Sequence, residues 1–466
     1  MALLTPGVLG DPTPSSSPEQ DLIALLDRPD ISSAILSGPA GSGKTTLTAS
    51  FIREAGIRGL SLAITAPTHK ALRVLRGMLE RTGPVGIFLH FTTLHSILGL
   101  RLNENEDGSF SVKPGPAPDL SVFDWIIVDE CSLVGKDLLG EMERARGHCR
   151  VLFVGDPHQL PPVEAVGAPS QPPPVFTLHL HQISLDKVHR QEDNHPVHHL
   201  TRSLLAWKLE KGRPSPESLF SDPDLLAPED FSDSRQLLWV SGGVNEAAAW
   251  ADELRKRREN VRILAYTNRR VELYNRLLFR YEYGDISTPF ARNERVFLNE
   301  TTGLRNEENQ AVIIPAGEEL TVLEIFPERH PDYADIPAHR VYLADETGMT
   351  FSVLVPDDSR AHQKNIDSLF REVRQKKEGA SDKGYMADKA ESGRLSKAAW
   401  SLKRAFGQLR HGYSMTVFKA QGSTFESVIV DWQDLNFFRD DHAFVRGLYV
   451  AATRPSHRLI FAGTFR

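Results

Sequence analysis

The chain has 466 residues, 40% of them hydrophobic and 25% charged, with a formal net charge of −7. That length is too great for one ordinary core and asks for at least two domains, the composition is that of a soluble globular protein, and no run nears the roughly 18 apolar residues of a membrane span. Two cysteines exclude a disulfide framework, the N-terminus lacks the basic and apolar regions of a secretory signal, and the acidic balance argues against a generally basic surface while leaving room for a local basic groove.

Residues 1–17 are rich in Pro and Ser without periodicity and read as a mobile leader. From Pro18 short apolar runs alternate with helix-like segments, the mark of a parallel sheet covered on both faces. The run Ala34-Ile35-Leu36 leads into GPAGSGKT at 38–45, which fits G-x-x-x-x-G-K-[ST]. Gly38, Gly41 and Gly43 let the backbone around Pro39, Ala40 and Ser42 turn its N–H groups toward nucleotide phosphates. Lys44 can reach the β- and γ-phosphates, and the Thr45 hydroxyl can hold Mg²⁺, with Thr46 beside it. The pattern says nucleoside triphosphate without saying what its hydrolysis drives.

LSLAITAP follows, ending at Pro67, and then a segment that reads as a β-hairpin. In RLNENEDGSFSVKPGP (101–116) alternation flanks Glu106-Asp107-Gly108, a turn signal. WIIVDE ends in Asp129 and Glu130, a carboxylate placed to bind Mg²⁺ and a neighbour placed to polarise water. VLFVGD leads into GDPHQLPPV, where Gln159 is a neutral donor and acceptor suited to sensing a γ-phosphate. Each run ends in chemistry at the edge where open α/β sheets bind ligands. The segment 179–199 is rich in His but lacks Cys or a spaced carboxylate set, so it reads as solvated or core histidines and not as a metal site.

A second α/β unit starts near Gln236. Ile263 and Leu264 lie in its strand VRILAYTN, and the helix after it carries apolar Val271, Leu273, Tyr274, Leu277 and Leu278. From about 290 to 355 short β-branched runs separated by turns predict a small antiparallel barrel or meander. Residues 360–405 are charged and helical or mobile, and the α/β pattern resumes at SVIVDW (427–432) and closes at HRLIFAG (457–463).

Taken together, SPEQ, GPAGSGKTT, APTHKA, TTLHS, VDECS, GDPHQLPPV, LDKVHRQ, YTN, TVFKAQGSTFESVIV and YVAATR resemble the superfamily 1 helicases, and among them the 5′→3′ RecD-like and Dda-like group. The resemblance runs from Pro18 to Arg466. It implies two RecA-like parallel-sheet P-loop domains in tandem: domain 1A (18–98 and 118–205) with a pin hairpin inserted at 99–117, and domain 2A (206–289 and 406–466) with an SH3-like β-barrel and helical insertion at 290–405.

The same resemblance assigns roles. Gln20 matches the glutamine that reads adenine, Lys44, Thr45 and Asp129 hold ATP and Mg²⁺, Glu130 is the catalytic base, and Gln159 is the γ-phosphate sensor. Arg190 and Arg454 match the arginines that close on the γ-phosphate, and Gln421 and Gly422 the interdomain cleft. Pro67, Thr68, His69, Thr93, His95, Asn268, Thr416 and Lys419 match strand-contacting positions, Phe110 the aromatic of the pin, and Trp400, with Lys403 and Arg404, a further contact. DECS departs from the commoner acidic boxes, and Cys131, if exposed, would bring sensitivity to oxidation. The implied activity is an ATP- and Mg²⁺-dependent DNA helicase acting on single-stranded and forked duplex DNA as a monomer. It would work in a bacterial or phage-infected cytoplasm, away from membranes, with single-strand-binding or replisome proteins as further partners. The alternatives are an RNA-directed relative and a P-loop ATPase that remodels protein.

Overall fold

The computed structural model describes residues 17–66, 69–81, 88–104, 110–114, 119–162, 172–185, 196–207, 212–219, 236–299, 302–306, 311–314, 317–345, 348–378 and 385–464. The Pro/Ser-rich leader up to residue 16 lies outside them.

The first lobe is built on β1 (Ser33–Ser37), β2 (Leu62–Ala66), β3 (Leu89–Thr93), β6 (Trp125–Val128), β7 (Arg150–Gly155) and β8 (His181–Ser184). These six pair in parallel in the order β3-β2-β6-β7-β1-β8. All five residues of β2 and all four of β6 are buried, which is why they read as unbroken apolar runs. Helix Lys44–Ile57 covers one face, where Phe51 meets Trp125 edge to face at 5.1 Å. Leu94, Met142 and Val175 pack on the other. Between β3 and β6 the antiparallel pair β4 (Leu100–Glu104) and β5 (Phe110–Pro114) forms its own two-stranded sheet, with Glu104 opposite Phe110.

The second lobe holds β9 (Leu237–Ser241), β10 (Val261–Ala265), β18 (Ser414–Thr416), β19 (Phe425–Asp431) and β20 (Pro455–Gly463), all parallel in the order β18-β10-β19-β20-β9. Its core gathers Trp239, Trp432, Phe444 and Phe461. Of the apolar positions expected on helix Asn268–Tyr283, Val271, Tyr274 and Leu278 are buried and Leu277 packs partly, while Leu273 is 39% exposed.

The remaining strands form an antiparallel seven-stranded sheet: β11 (Arg295–Leu298), β12 (Thr302–Asn306), β13 (Ala311–Ile314), β14 (Glu319–Pro327), β15 (Ala338–Ala344), β16 (Thr350–Pro356) and β17 (Leu409–His411). β17 reaches this sheet from beyond the helices Ser359–Glu378 and Tyr385–Ala405 and pairs with β11. Arg262, buried in β10, ties the two sheets together through Glu319 of β14 at 3.0 Å.

A candidate nucleotide cleft between two lobes

The parallel order of the first lobe places β2, β6, β7 and β1 side by side, so the segments leaving their C-terminal ends share one edge. The phosphate-loop sequence leaves β1, where Gly38 N–H donates to Gly155 O at 3.2 Å and fixes it against the end of β7. Gly41 (φ 79°) and Gly43 (φ 91°) adopt the left-handed region that glycine enters at little cost. Gly38 is needed for another reason: a Cβ there would lie 2.7 Å from Ser42 Oγ and 2.9 Å from the Leu185 backbone oxygen. Gly43 caps helix Lys44–Ile57 without a side-chain bond, leaving first-turn N–H groups to an anion. Ser42 Oγ is buried without a partner in the same loop. This donor-rich cradle with an orphaned hydroxyl fits the phosphates of a nucleotide. Lys44 Nζ donates to Gly38 O and Pro39 O, each at 2.8 Å.

Asp129 and Glu130 follow β6. Burial, and then the Glu130 charge, push the Asp129 carboxyl up to about 7. Two adjacent carboxylates with one pKa driven upward suit a divalent cation, which removes the penalty of ionising both. Glu130 sits at φ 48°, ψ 42°, a strained position for a residue with a side chain. That turn brings its carboxylate toward the second lobe, where a Cβ on Gly422 would stand 3.6 Å from Glu130 Oε1.

Because the Asp129 carboxyl ionises less readily in the fold than in the unfolded chain, folding binds the proton more tightly. The stability this confers is present at low pH and is lost as pH rises from about 4 through about 7. Asp129→Asn is therefore expected to raise the melting temperature of the metal-free chain at pH 8 by about 2 °C, on the order of 1 kcal/mol, because the site is partly open to solvent. The gain should vanish near pH 4.5. Thermal melts of both chains at the two pH values check this.

Gln159 follows β7 and is 3% exposed. Its Oε1 accepts from Ser132 Oγ and from Gln421 Nε2, both at 3.4 Å, and Gln421 Nε2 also donates to Leu160 O at 3.0 Å. The second lobe thus grips the GDPHQ segment through Gln421, which precedes β19. Arg454, directly before β20, is 5% exposed and donates to Val450 O, Ser423 O and Thr453 Oγ1.

Other expected positions are placed variously. Gln20 lies on helix Pro18–Ala24, where its side chain accepts Ser17 N–H and closes a capping box with Ser17. Thr45 is half-buried and Thr46 exposed. Arg190, Pro67 and Thr68 lie outside the described residues, and His69 opens helix His69–Arg81. Thr93 caps helix Leu94–Ile97, and burial holds the neighbouring His95 below its ordinary pKa. Asn268 opens helix Asn268–Tyr283 and accepts from Arg410 at 3.3 Å. Thr416 Oγ1 accepts the Lys419 N–H, and Lys419 Nζ donates to Asn299 Oδ1 at 3.1 Å. Trp400 is half-buried against Phe370, with Lys403 and Arg404 over its ring, so much of its surface serves the helical insertion. Cys131 is fully buried, and burial raises its thiol well above the usual value, so it lacks the exposure an oxidation-sensitive thiol needs.

Asp156 of GDPHQLPPV and Tyr449 of YVAATR lie inside motifs that by themselves give them no role, and Arg446 lies outside any motif. Asp156 is buried and accepts from Tyr449 Oη at 2.7 Å, and Tyr449 Oη accepts the Ala40 N–H at 3.0 Å. Arg446, one helical turn before Tyr449, donates to Pro157 O and Gln159 O. The i, i+3 spacing of Arg446 and Tyr449 within the otherwise apolar stretch 443–452 is a signal that could have singled out these two.

Residues 22–214 match the AAA domain family model, and residues 411–462 the UvrD-like helicase C-terminal domain. The ATP-dependent RecD2 DNA helicase of Deinococcus radiodurans is 34% identical over 181 residues, 37% of this chain and 21% of that protein. The ATP-dependent DNA helicase dda of Enterobacteria phage T4 is 32% identical over 167 residues, 35% of each chain. The matches thus span between a fifth and about a third of these relatives' lengths. Among solved structures, Pif1 helicase from Bacteroides in complex with ADP-AlF3 and ssDNA superposes with a TM-score of 0.54 at 16% identity, covering 96% of this chain and 92% of that one. Pif1 helicase from Candida albicans superposes at 0.51, also at 16% identity, covering 97% and 94%. These likenesses bear on the fold of two parallel sheets. The chain thus carries an AAA model in its first lobe and a UvrD-like helicase C-terminal model in its second, and over 37% and 35% of its length it is similar to the RecD2 and dda helicases.

Proposed function

We propose that the chain is an ATP-dependent DNA helicase that moves 5′→3′ on single-stranded DNA and opens duplex ahead of it. The observation that carries this reading is the Gln159–Gln421 contact: the sensor of one lobe touches the loop of the other, two residues beyond Lys419. A change at the phosphates would pass through this contact to the segment that carries Lys419, whose Nζ donates to Asn299 Oδ1.

In this mechanism Lys44 and the loop amides hold the phosphates, and Thr45 and Asp129 would hold Mg²⁺, which would neutralise charge on the phosphate oxygens. Glu130 orients the attacking water and takes its proton. Arg190 and Arg454 stabilise charge developing on the transferred phosphoryl group, and Gln20 contacts the base. Closure joins the lobes, and hydrolysis loosens them. Thr93, His95, Asn268, Thr416 and Lys419 grip phosphates of the strand in alternation, so each cycle moves one lobe along it.

The β4–β5 hairpin is read as the pin that splits the fork, and the seven-stranded sheet as the SH3-like insertion beside the strand. Phe110, first residue of β5, stands at the turn end of the hairpin. An aromatic there stacks on the junction base for about 1–3 kcal/mol. Phe110→Ala is expected to keep strand-stimulated ATPase within about twofold and to slow unwinding on the order of tenfold. Parallel phosphate-release and strand-separation assays check it, and equal loss of both refutes the pin.

The test of the whole reading is unwinding of duplexes with a single-stranded tail at only one end. Opening from a 5′ tail is expected. Opening from a 3′ tail alone rejects the polarity, and opening of RNA but not DNA tails favours the RNA-directed alternative.

A further inference from the structure

Tyr449 occupies a place that neither phosphate chemistry nor the strand contacts account for. Its helix, Asp441–Ala452, belongs to the second lobe, yet its hydroxyl lies in the first. The hydroxyl accepts the N–H of Ala40 at 3.0 Å, inside the phosphate loop, and donates to Asp156 Oδ2 at 2.7 Å. Tyr449 is 2% exposed and Asp156 is fully buried. The other oxygen of Asp156 accepts the His158 N–H at 2.9 Å, so the carboxylate is fixed and acts as a rigid post for the phenol. The His158 ring stands 6.1 Å from the Tyr449 ring. On the same helical face Arg446 donates to Pro157 O at 2.5 Å and Gln159 O at 2.8 Å. Two side chains one turn apart thus hold both segments of the nucleotide edge.

A backbone N–H is a single donor, and phosphate loops bind anions with theirs. While the Ala40 N–H points at the phenol it is withheld from a phosphate oxygen. We propose that Tyr449 is a latch across the cleft: its hydroxyl and a nucleotide phosphate compete for the Ala40 N–H, so that nucleotide uptake frees helix Asp441–Ala452 from the phosphate loop. The hydroxyl keeps Asp156 as its acceptor on release, so the phenol is not stranded. Arg446 moves with the same helix and carries the change to the backbone of Gln159. Tyr449 is on this account a positioning residue. The inference rests on reading 38–45 as a phosphate loop and needs neither DNA binding nor hydrolysis.

The test is equilibrium binding of a fluorescent non-hydrolysable ATP analogue, mant-AMPPNP, to the full chain and to Tyr449→Phe, which keeps the ring and removes only the hydroxyl. Loss of one competing hydrogen bond is expected to tighten binding about fivefold. Unchanged or weaker binding overturns the latch, and weaker binding would make the hydroxyl a ligand of the nucleotide instead. A second readout is the lobe distance by energy transfer between dyes on Ile57→Cys and Phe437→Cys, which are 76% and 63% exposed, whereas Cys131 and Cys149 are buried. The Tyr449→Phe chain without nucleotide is expected to show lower transfer than its parent, with the difference narrowing on saturation with AMPPNP, where the parent keeps only the Asp156 bond. Equal transfer without nucleotide overturns the latch even where affinity rises. A parent chain that binds no mant-AMPPNP removes the phosphate-loop reading along with the latch. Binding by the parent with no effect of the substitution removes the latch alone.

Discussion

Lys44→Ala is expected to lower ATP turnover on the order of 10³-fold or more. Lys44 is the first residue of helix Lys44–Ile57, so the side chain rises from the helix N-terminus, where first-turn amides lack intrahelical partners. Its ammonium already lies over the loop, held by Gly38 O and Pro39 O, and needs only side-chain rotation to leave those carbonyls for a phosphate. Among the described loop residues it is the one full positive charge, and the others contribute dipoles. Removing it leaves the glycine geometry intact, so the fold should survive with a small loss from two carbonyls that lose a donor. Phosphate release under saturating ATP, beside a circular dichroism melt, checks this. Turnover within tenfold of the parent would mean that 38–45 does not do phosphate chemistry.

Replacing Arg454 is expected to have an effect of similar size. An arginine presented to a transferring phosphoryl group contributes about 10³–10⁵ in turnover. Arg454 is rooted in its own lobe by bonds to Val450 O at 3.0 Å, Ser423 O at 3.2 Å and Thr453 Oγ1 at 2.8 Å. It sits where β20 starts beside β19, since Phe425 N–H donates to Arg454 O at 3.0 Å. Pro455 follows at once and opens β20, which stiffens the backbone behind the guanidinium. Arg454→Ala mixes loss of charge with loss of these bonds, so Arg454→Lys is the sharper variant. It keeps the charge and loses the planar fork, and turnover should still fall at least about 10²-fold while mant-AMPPNP affinity changes less than about tenfold. An Arg454→Lys chain with parental turnover would show that the second lobe does not complete the site through this residue.

The parallel strands were legible because each is buried on both faces: Ile64, Ile127 and Leu152 have no water-facing side to spoil an apolar run. The turns of the 38–45 loop were legible in its glycines, because Gly41 and Gly43 take the positive φ that glycine enters at little cost. β17 was not foreseeable as part of the antiparallel sheet, because its partner β11 lies more than a hundred residues earlier and local alternation does not record partners. The capping box was written in SPEQ as Ser and Gln three apart. There the local chemistry of a helix start and the resemblance to an adenine-reading glutamine fall on the same residue, Gln20. Leu273 is apolar like its helix neighbours and is still 39% exposed. The contacts among Tyr449, Arg446 and the 156–159 segment were hidden for a deeper reason. Tyr449 and Asp156 are 293 positions apart, and nothing local to either motif records the other.

The central claim is that strand contacts and nucleotide chemistry share one cleft, joined through Gln159 and Gln421. It is tested most directly by the ATP hydrolysis rate of the full chain, with and without saturating single-stranded DNA, at one fixed salt concentration. Coupling between the two sites predicts stimulation on the order of tenfold or more, and Gln421→Ala should remove most of it. Equal rates with and without the strand would contradict the account.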